Sequence, residues 1–309
     1  MNVYLEGVRN IADLEGMSVE VLAGNWDSHI QSRQVDAAIA ERPDMIILLP
    51  ENARACTEWY KRIYEAGIPV IGSNLLPSSA AFRYFLCWTG PDDWGQGRLL
   101  AREFARCMKK TGGYGIIAHV PGSSNYYSRS YSILTELNEI APAMECLEIT
   151  STDLNAEKTR RRVAEWIERF GGRLEGIVSA DDNVAQTGIL SAIKAAGRDD
   201  IVCVAYGGSS VGLEYVKQGR LQAVAYQRGD VDGMLAMKAA ADWFNGLAVQ
   251  PIRYLPKHIV TAKDVDEFLS ARRELSSVRV DRLVSAILAN DIEGIRSFYA
   301  GTLRKLSRA

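Results

Sequence analysis

Two adjacent carboxylates, Asp181 and Asp182, follow directly on the apolar run 177–180, and a helical pattern opens at Asn183. Such a pair at the lip of a buried strand can hold a divalent cation, work as acid and base, accept hydrogen bonds from a polar ligand, or cap the helix. A metal pair would need further acids at the neighbouring strand ends, and two of those ends carry Asn74 and Gly207 instead. The other loops of interest are "GSNLLP" (72–77), "WTGPDDWGQG" (88–97), "PGSSNYYSRS" (121–130), "AYGGSS" (205–210) and "YQRGD" (226–230), which are polar and in most cases hold an aromatic. His29, His119 and His258 stand in no nucleophile or metal pattern, and there is neither a G-x-S-x-G elbow nor a phosphate loop. These patterns give an enzyme little support, and neither a cofactor nor a metal is expected.

The elements that position these loops follow from hydrophobic period. Short β-branched runs such as "SVEVLAG" (18–24), "DMIILLP" (44–50), "IPVIGS" (68–73), "YGIIAHVPG" (114–122), "EGIVSA" (175–180) and "DIVCVAYGG" (200–208) alternate with amphipathic helical stretches. Strand, crossover helix, strand is the pattern of parallel sheets covered on both faces, whose ligands sit at the carboxyl ends of the strands. There are too many such units for one open sheet, so 309 residues read as two α/β lobes. After about Phe268 the alternation stops and only helical spacing remains, with stripes at Val280, Leu283, Val284 and Ile287 and at Ile292, Ile295, Tyr299 and Leu306. A net charge of −2 with dispersed basic residues argues against direct nucleic-acid binding. Five widely spaced cysteines, with no C-x-x-C pair, argue against zinc or a disulfide framework. The head of the chain has no signal-peptide pattern, which would make the protein cytoplasmic if that start is genuine.

Taken in order and spacing, "RPDMIILLP", "AGIPVIGSN", "WTGPDDWGQGRLLAREF", "GSSNYYSRS", "GIVSADDNVAQTGILSAIKAAG", "VCVAYGGSSVGLEYVKQGRLQAVAYQ" and "PKHIVTAKDVDEF" resemble the type I periplasmic sugar-binding proteins, the ribose- and galactose-binding group related to lactose-repressor-type sensor cores. The resemblance spans roughly residues 1–268. It implies two Rossmann-like lobes with parallel sheets joined by a three-strand hinge, crossing near Pro91 and Asp92, near Gln227 and Arg228, and near Pro256 to His258. The N-terminal lobe would comprise 1–91 and 228–257, the C-terminal lobe 92–227 and 258–268, with 269–309 a helical extension. Two departures stand out. The family's first, central strand is missing, since "NVYLEGVRNIADLEG" already reads as the first helix, and the helical tail is additional.

Sugars are recognised by planar polar side chains that satisfy paired hydroxyls and by aromatic faces that stack on C–H patches. By resemblance Asn74, Arg129, Asp181, Tyr206 and Gln227 fall at ligand positions, with Asn125 and Tyr127 beside them and Trp94 as a stacking surface; Trp26 and Trp88 are further aromatic candidates. Asp181 would take a hydroxyl while Asp182 caps the following helix. Asn74 and Gly207 replace acids common in the family, so the hydroxyl pattern should differ from that of ribose or glucose. The implied function is sugar or polyol binding by lobe closure, as the periplasmic solute-binding component of an ABC-type uptake system whose partner is a membrane permease. The alternative is a ligand sensor that signals to a partner through the C-terminal helices, which would also suit a homodimer.

Overall fold

The computed structural model describes residues 2–24 and 27–274. Asn25, Trp26 and the stripes expected beyond residue 274 lie outside them. Helices and mostly parallel strands alternate and form two separate sheets. The first contains β1 (Ile46–Leu48), β2 (Val70–Ser73), β3 (Cys87–Gly90) and β9 (Ile252–Tyr254), hydrogen-bonded in that order and all parallel. The second contains β4 (Gly112–Ala118), β5 (Met144–Ser151), β6 (Leu174–Ser179), β7 (Val202–Gly207), β8 (Ala223–Tyr226) and β10 (His258–Thr261), in the order β10-β8-β7-β6-β4-β5. Only β10 runs antiparallel to its neighbour.

Helices cover both faces of each sheet, as near-continuous apolar strands require. On the larger sheet, Ile117 of β4 points into a core with Trp166 of α6 (Ala156–Phe170), Ile189 of α7 (Val184–Ala196) and Leu213 of α8 (Ser210–Lys217). Its neighbour Ile116 points the other way, toward Phe104 of α4 (Asp93–Cys107) and Ile133 of α5 (Ser124–Ile140). The smaller sheet packs α1 (Asn2–Glu15) and α9 (Gly229–Phe244) on one face, and α2 (Ser28–Glu41) and α3 (Cys56–Glu65) on the other. Glycine permits a close crossing of α1 and α9: a Cβ on Gly233 would lie 2.1 Å from the Tyr4 carbonyl oxygen, and one on Gly7 1.9 Å from that of Asp230.

The run 18–24, expected to be a strand, is not one. Val19, Val21 and Leu22 are exposed, and β1 pairs with β2 alone. An extended segment joins a sheet only where a neighbour takes its backbone N–H and C=O groups, and among the described residues no strand lies beside β1 on that side. The end of that open edge is met by a side chain instead: Gln31 Nε2 donates to the Leu49 carbonyl at 2.8 Å, and its Oε1 accepts from the Glu51 N–H at 2.9 Å.

The chain passes between the sheets three times, from β3 to α4 through 91–92, from β8 to α9 through 227–228, and from β9 to β10 through 255–257. After β10, α10 (Val265–Glu274) packs back on α8.

Candidate ligand-binding site

The carboxyl ends of strands from both sheets open onto one cavity of about 280 Å³. This is near the lower bound of ordinary small-ligand pockets, roughly 300 Å³. Asn74 and Asp232 line it from the smaller sheet's side, Asp181, Asp182, Gly207 and Ser209 from the larger sheet's side, and Gln227 and Arg228 from the second crossing. No aromatic ring is among the described lining residues.

Asp181, and not Asp182 as expected, caps α7, while Asp182 is bonded to the backbone at the start of α8. Asp181 Oδ2 accepts from the N–H groups of Asn183 at 3.2 Å and Ala185 at 2.8 Å, so Asp181 caps α7 while touching the cavity. Asp182 turns inward, only 2 % exposed, and its Oδ2 accepts from the N–H groups of Gly208 at 2.6 Å and Ser209 at 2.9 Å, at the start of α8. The space it fills is made by glycine: a Cβ at Gly207 would stand 2.1 Å from its Oδ1, and one at Gly212 1.9 Å from its Oδ2. Gly207 also has φ +146°, a value that other residues rarely adopt. Burial pushes the Asp182 carboxyl up to about 6, against the lowering effect of the Gly208 N–H.

Arg129 is held behind the lining. Its Nε donates to Asp93 Oδ1 at 2.9 Å, Nη1 to the Ala180 carbonyl at 2.9 Å, and Nη2 to Gln227 Oε1 at 2.8 Å. The guanidinium stacks over the Tyr206 ring, 5.2 Å from its centroid, and the Tyr206 hydroxyl donates to the Arg129 carbonyl. Tyr206 is therefore a buried support for the arginine and not a cavity wall. Gln227 Nε2 completes the knot by donating to Asp93 Oδ1 at 2.6 Å and Gln96 Oε1 at 3.0 Å, so the second crossing is tied to the starts of α4 and α5. Three of the five arginine N–H donors are engaged in this knot. His119, at the end of β4, is lowered to about 3 by burial and by the charge of Arg129, and stands neutral at physiological pH.

On the opposite wall, Asn74 has φ +65° and its Nδ2 donates to Asp232 Oδ2 at 3.0 Å. Ser73 and Thr89 hydroxyls reach Asp232 Oδ1 at 3.3 and 3.2 Å, and the Tyr4 hydroxyl donates to Ser73 at 2.9 Å. Burial pushes Asp232 up to about 7, and the charge of Asp93 adds to the rise. Asp232 escaped the sequence reading. The available signal was an acid within the apolar stripe of α9, between Val231 and Met234, five positions after Gln227.

The structure thus brings Asn74, Asp181 and Gln227 to the cavity, with Arg129 bonded to Gln227 just behind. Asn125 is buried in the first turn of α5, outside the lining. Trp94 and Tyr127 also stand outside it, 44 % and 51 % exposed, because their helix positions turn them to solvent. Trp88 is core, its indole N–H bonded to the Leu75 carbonyl. Among the described residues no group of three His, Cys, Asp or Glu side chains is placed to hold a metal ion, and no helix is long and apolar enough to cross a membrane.

Two covered sheets, three crossings and a polar cavity at the strand ends between them have close parallels among known proteins. Residues 1–248 match the periplasmic binding protein domain. The chain belongs to this family. Among curated relatives of this binding protein, the xylitol-binding protein of Mycolicibacterium smegmatis is 26 % identical over 266 residues, covering 84 % of this chain and 73 % of the relative. The ribose import binding protein of Bacillus subtilis is 24 % identical over 259 residues, covering 84 % of this chain and 82 % of the relative. Among solved structures, an ABC transporter periplasmic solute-binding protein from Actinobacillus succinogenes with bound D-allose superposes with a TM-score of 0.78 at 23 % identity, over 85 % of this chain and 93 % of that one. The type I periplasmic binding protein fold implied by the sequence is the fold of this chain.

Proposed function

We propose that this binding protein is the solute-binding component of an ABC-type uptake system for a sugar or polyol, and that it holds its ligand by closing two lobes on it. The lobes are residues 1–91 with 228–257 and residues 92–227 with 258–268. One observation carries the reading: a single cavity is lined by hydrogen-bonding groups from both sheets and from the segment that crosses between them. A ligand touching both walls stabilises the approach of the lobes, since only the closed arrangement offers it both sets of partners. The planar acceptors and donors of Asn74, Asp181 and Gln227 suit vicinal hydroxyls. The relatives named for xylitol and ribose support this ligand class. The partner that reads the closed form is a membrane permease, and the place of work is outside the cytoplasmic membrane, as for the family. Self-association of the chain is proposed as a second partnership.

The test is calorimetric titration of the full chain with pentoses, hexoses and polyols, paired with small-angle scattering. One saturable site with a smaller radius of gyration on saturation is expected. Failure of the whole panel, or binding without contraction, overturns the proposal.

A further inference from the structure

We propose that the ligand of this cavity carries a protonated amine among its hydroxyls, as an amino sugar or amino cyclitol does, and that Asp232 receives the ammonium group. This rests on the sugar-or-polyol reading above and narrows it. The argument begins from charge. Asp181, Asp182 and Asp232 all line the cavity, whereas Arg228, the one cation among the described lining residues, is chelated through Nε and Nη2 by the carboxylate of Asp230. The next cation behind the wall, Arg129, is paired with Asp93. The N-termini of α7, α8 and α9 also meet the cavity, and each offers about half a unit of positive charge. Three such termini answer only part of the charge that three ionised carboxylates carry, so among the described residues the lining has a negative excess once Asp232 is ionised, and a neutral polyol leaves it uncompensated.

The acids are built in. The strand-end positions 74 and 207 carry no charge, yet a carboxylate stands beside each. Asp182 fills the space that Gly207 and Gly212 leave open, and Asp232 accepts from Asn74. Of the three acids, Asp181 is committed to the α7 cap and Asp182 to the backbone N–H groups of Gly208 and Ser209. Asp232 is held only by the neutral side-chain donors Asn74, Ser73 and Thr89, and it is closed off from bulk water while touching the cavity. A buried carboxylate with neutral partners is the acid that gains most from an arriving cation, because its charge has lost hydration without gaining a counter-charge.

Matched pairs of ligands test this on the unaltered chain: D-glucosamine against D-glucose, D-galactosamine against D-galactose, an inosamine against myo-inositol, and the N-acetyl form of each amine. At least one amine should bind roughly ten- to a hundredfold more tightly than its hydroxyl partner, the range separating charge-assisted from neutral hydrogen bonds. N-acetylation should abolish the gain. In Asp232→Asn, with folding checked by circular dichroism, the ratio of amine to neutral affinity should fall toward one whatever the absolute affinities become; an unchanged ratio overturns the assignment of the ammonium to Asp232. Equal or tighter binding of every neutral partner overturns the amine inference and leaves the sugar-or-polyol reading standing. If no member of any pair binds, both fall.

Discussion

The two sheets are held in different ways. In the larger one, β4 and β5 run for seven and eight residues, and every strand from β4 to β8 pairs along its length with a parallel neighbour. In the smaller one the strands are three or four residues long and, among the described residues, no strand pairs with the outer edge of β1, so its elements depend on helix packing, above all the α1–α9 crossing at Gly7 and Gly233. The walls of the cavity inherit this contrast. The larger lobe's acids are fixed by backbone N–H groups, whereas Asp232 is fixed by side chains on β2, β3 and the loop after β2. A site half-built on a less self-sufficient layer can be tuned by ligand more easily on that half.

The substitution that should break the contrast most severely is Gly233→Val. The added side chain meets the Tyr4 carbonyl, and overpacking of this kind costs about 1–3 kcal/mol or more. Urea unfolding followed by hydrogen exchange should show β1 to β3 losing protection while β6 and β7 keep theirs; a uniform loss would mean that the layers are not independent. In the unaltered chain, the amides of β1 and β2 should already exchange faster than those of β6 and β7.

Next is Asp232→Asn, read as stability against pH without ligand. The folded carboxyl is raised to about 7 from the ordinary 3.8, so between those values the folded state keeps a proton that the unfolded state releases. Stability from this group is therefore greatest at acid pH and falls as pH rises through the window. The Asn variant should melt higher than the parent at pH 8, with the gap closing toward pH 4. Asp182→Asn should show a smaller version ending near pH 6, since Asp182 is raised to about 6. Asp181→Ala should cost about 1 kcal/mol at neutral pH, measured by urea denaturation, as the loss of a helix cap. The smallest effects are expected from Trp94→Ala and Tyr127→Ala, within about 0.5 kcal/mol of stability and with ligand affinity unchanged.

Much of this molecule was legible in residue order. The period-2 runs at Ile116 and Ile117 and the helical stripes of α4 and α6 record which side faces a core, because that pattern is fixed by local geometry. Gln227, Asn74 and Asp181 were reached through the family resemblance, in loops that the strand-and-helix alternation had already marked as strand ends. What could not be read depended on partners far along the chain. Residues 18–24 have the composition of a strand, but a ladder needs a neighbour, and none lies beside them among the described residues. Asp181 and Asp182 are chemically identical; which one turns inward was decided by room left at Gly207 and Gly212, more than twenty residues away. Asp232 lies 158 positions from the Asn74 that binds it, and only the packing of α9 on β2 and β3 brings them together. The sequence by itself determined the covered parallel sheets and the loops that form the site, since period and turn chemistry act over a few residues. Only the tertiary structure decided which carboxylates face the cavity, because burial and charge balance are set by neighbours the chain supplies from elsewhere.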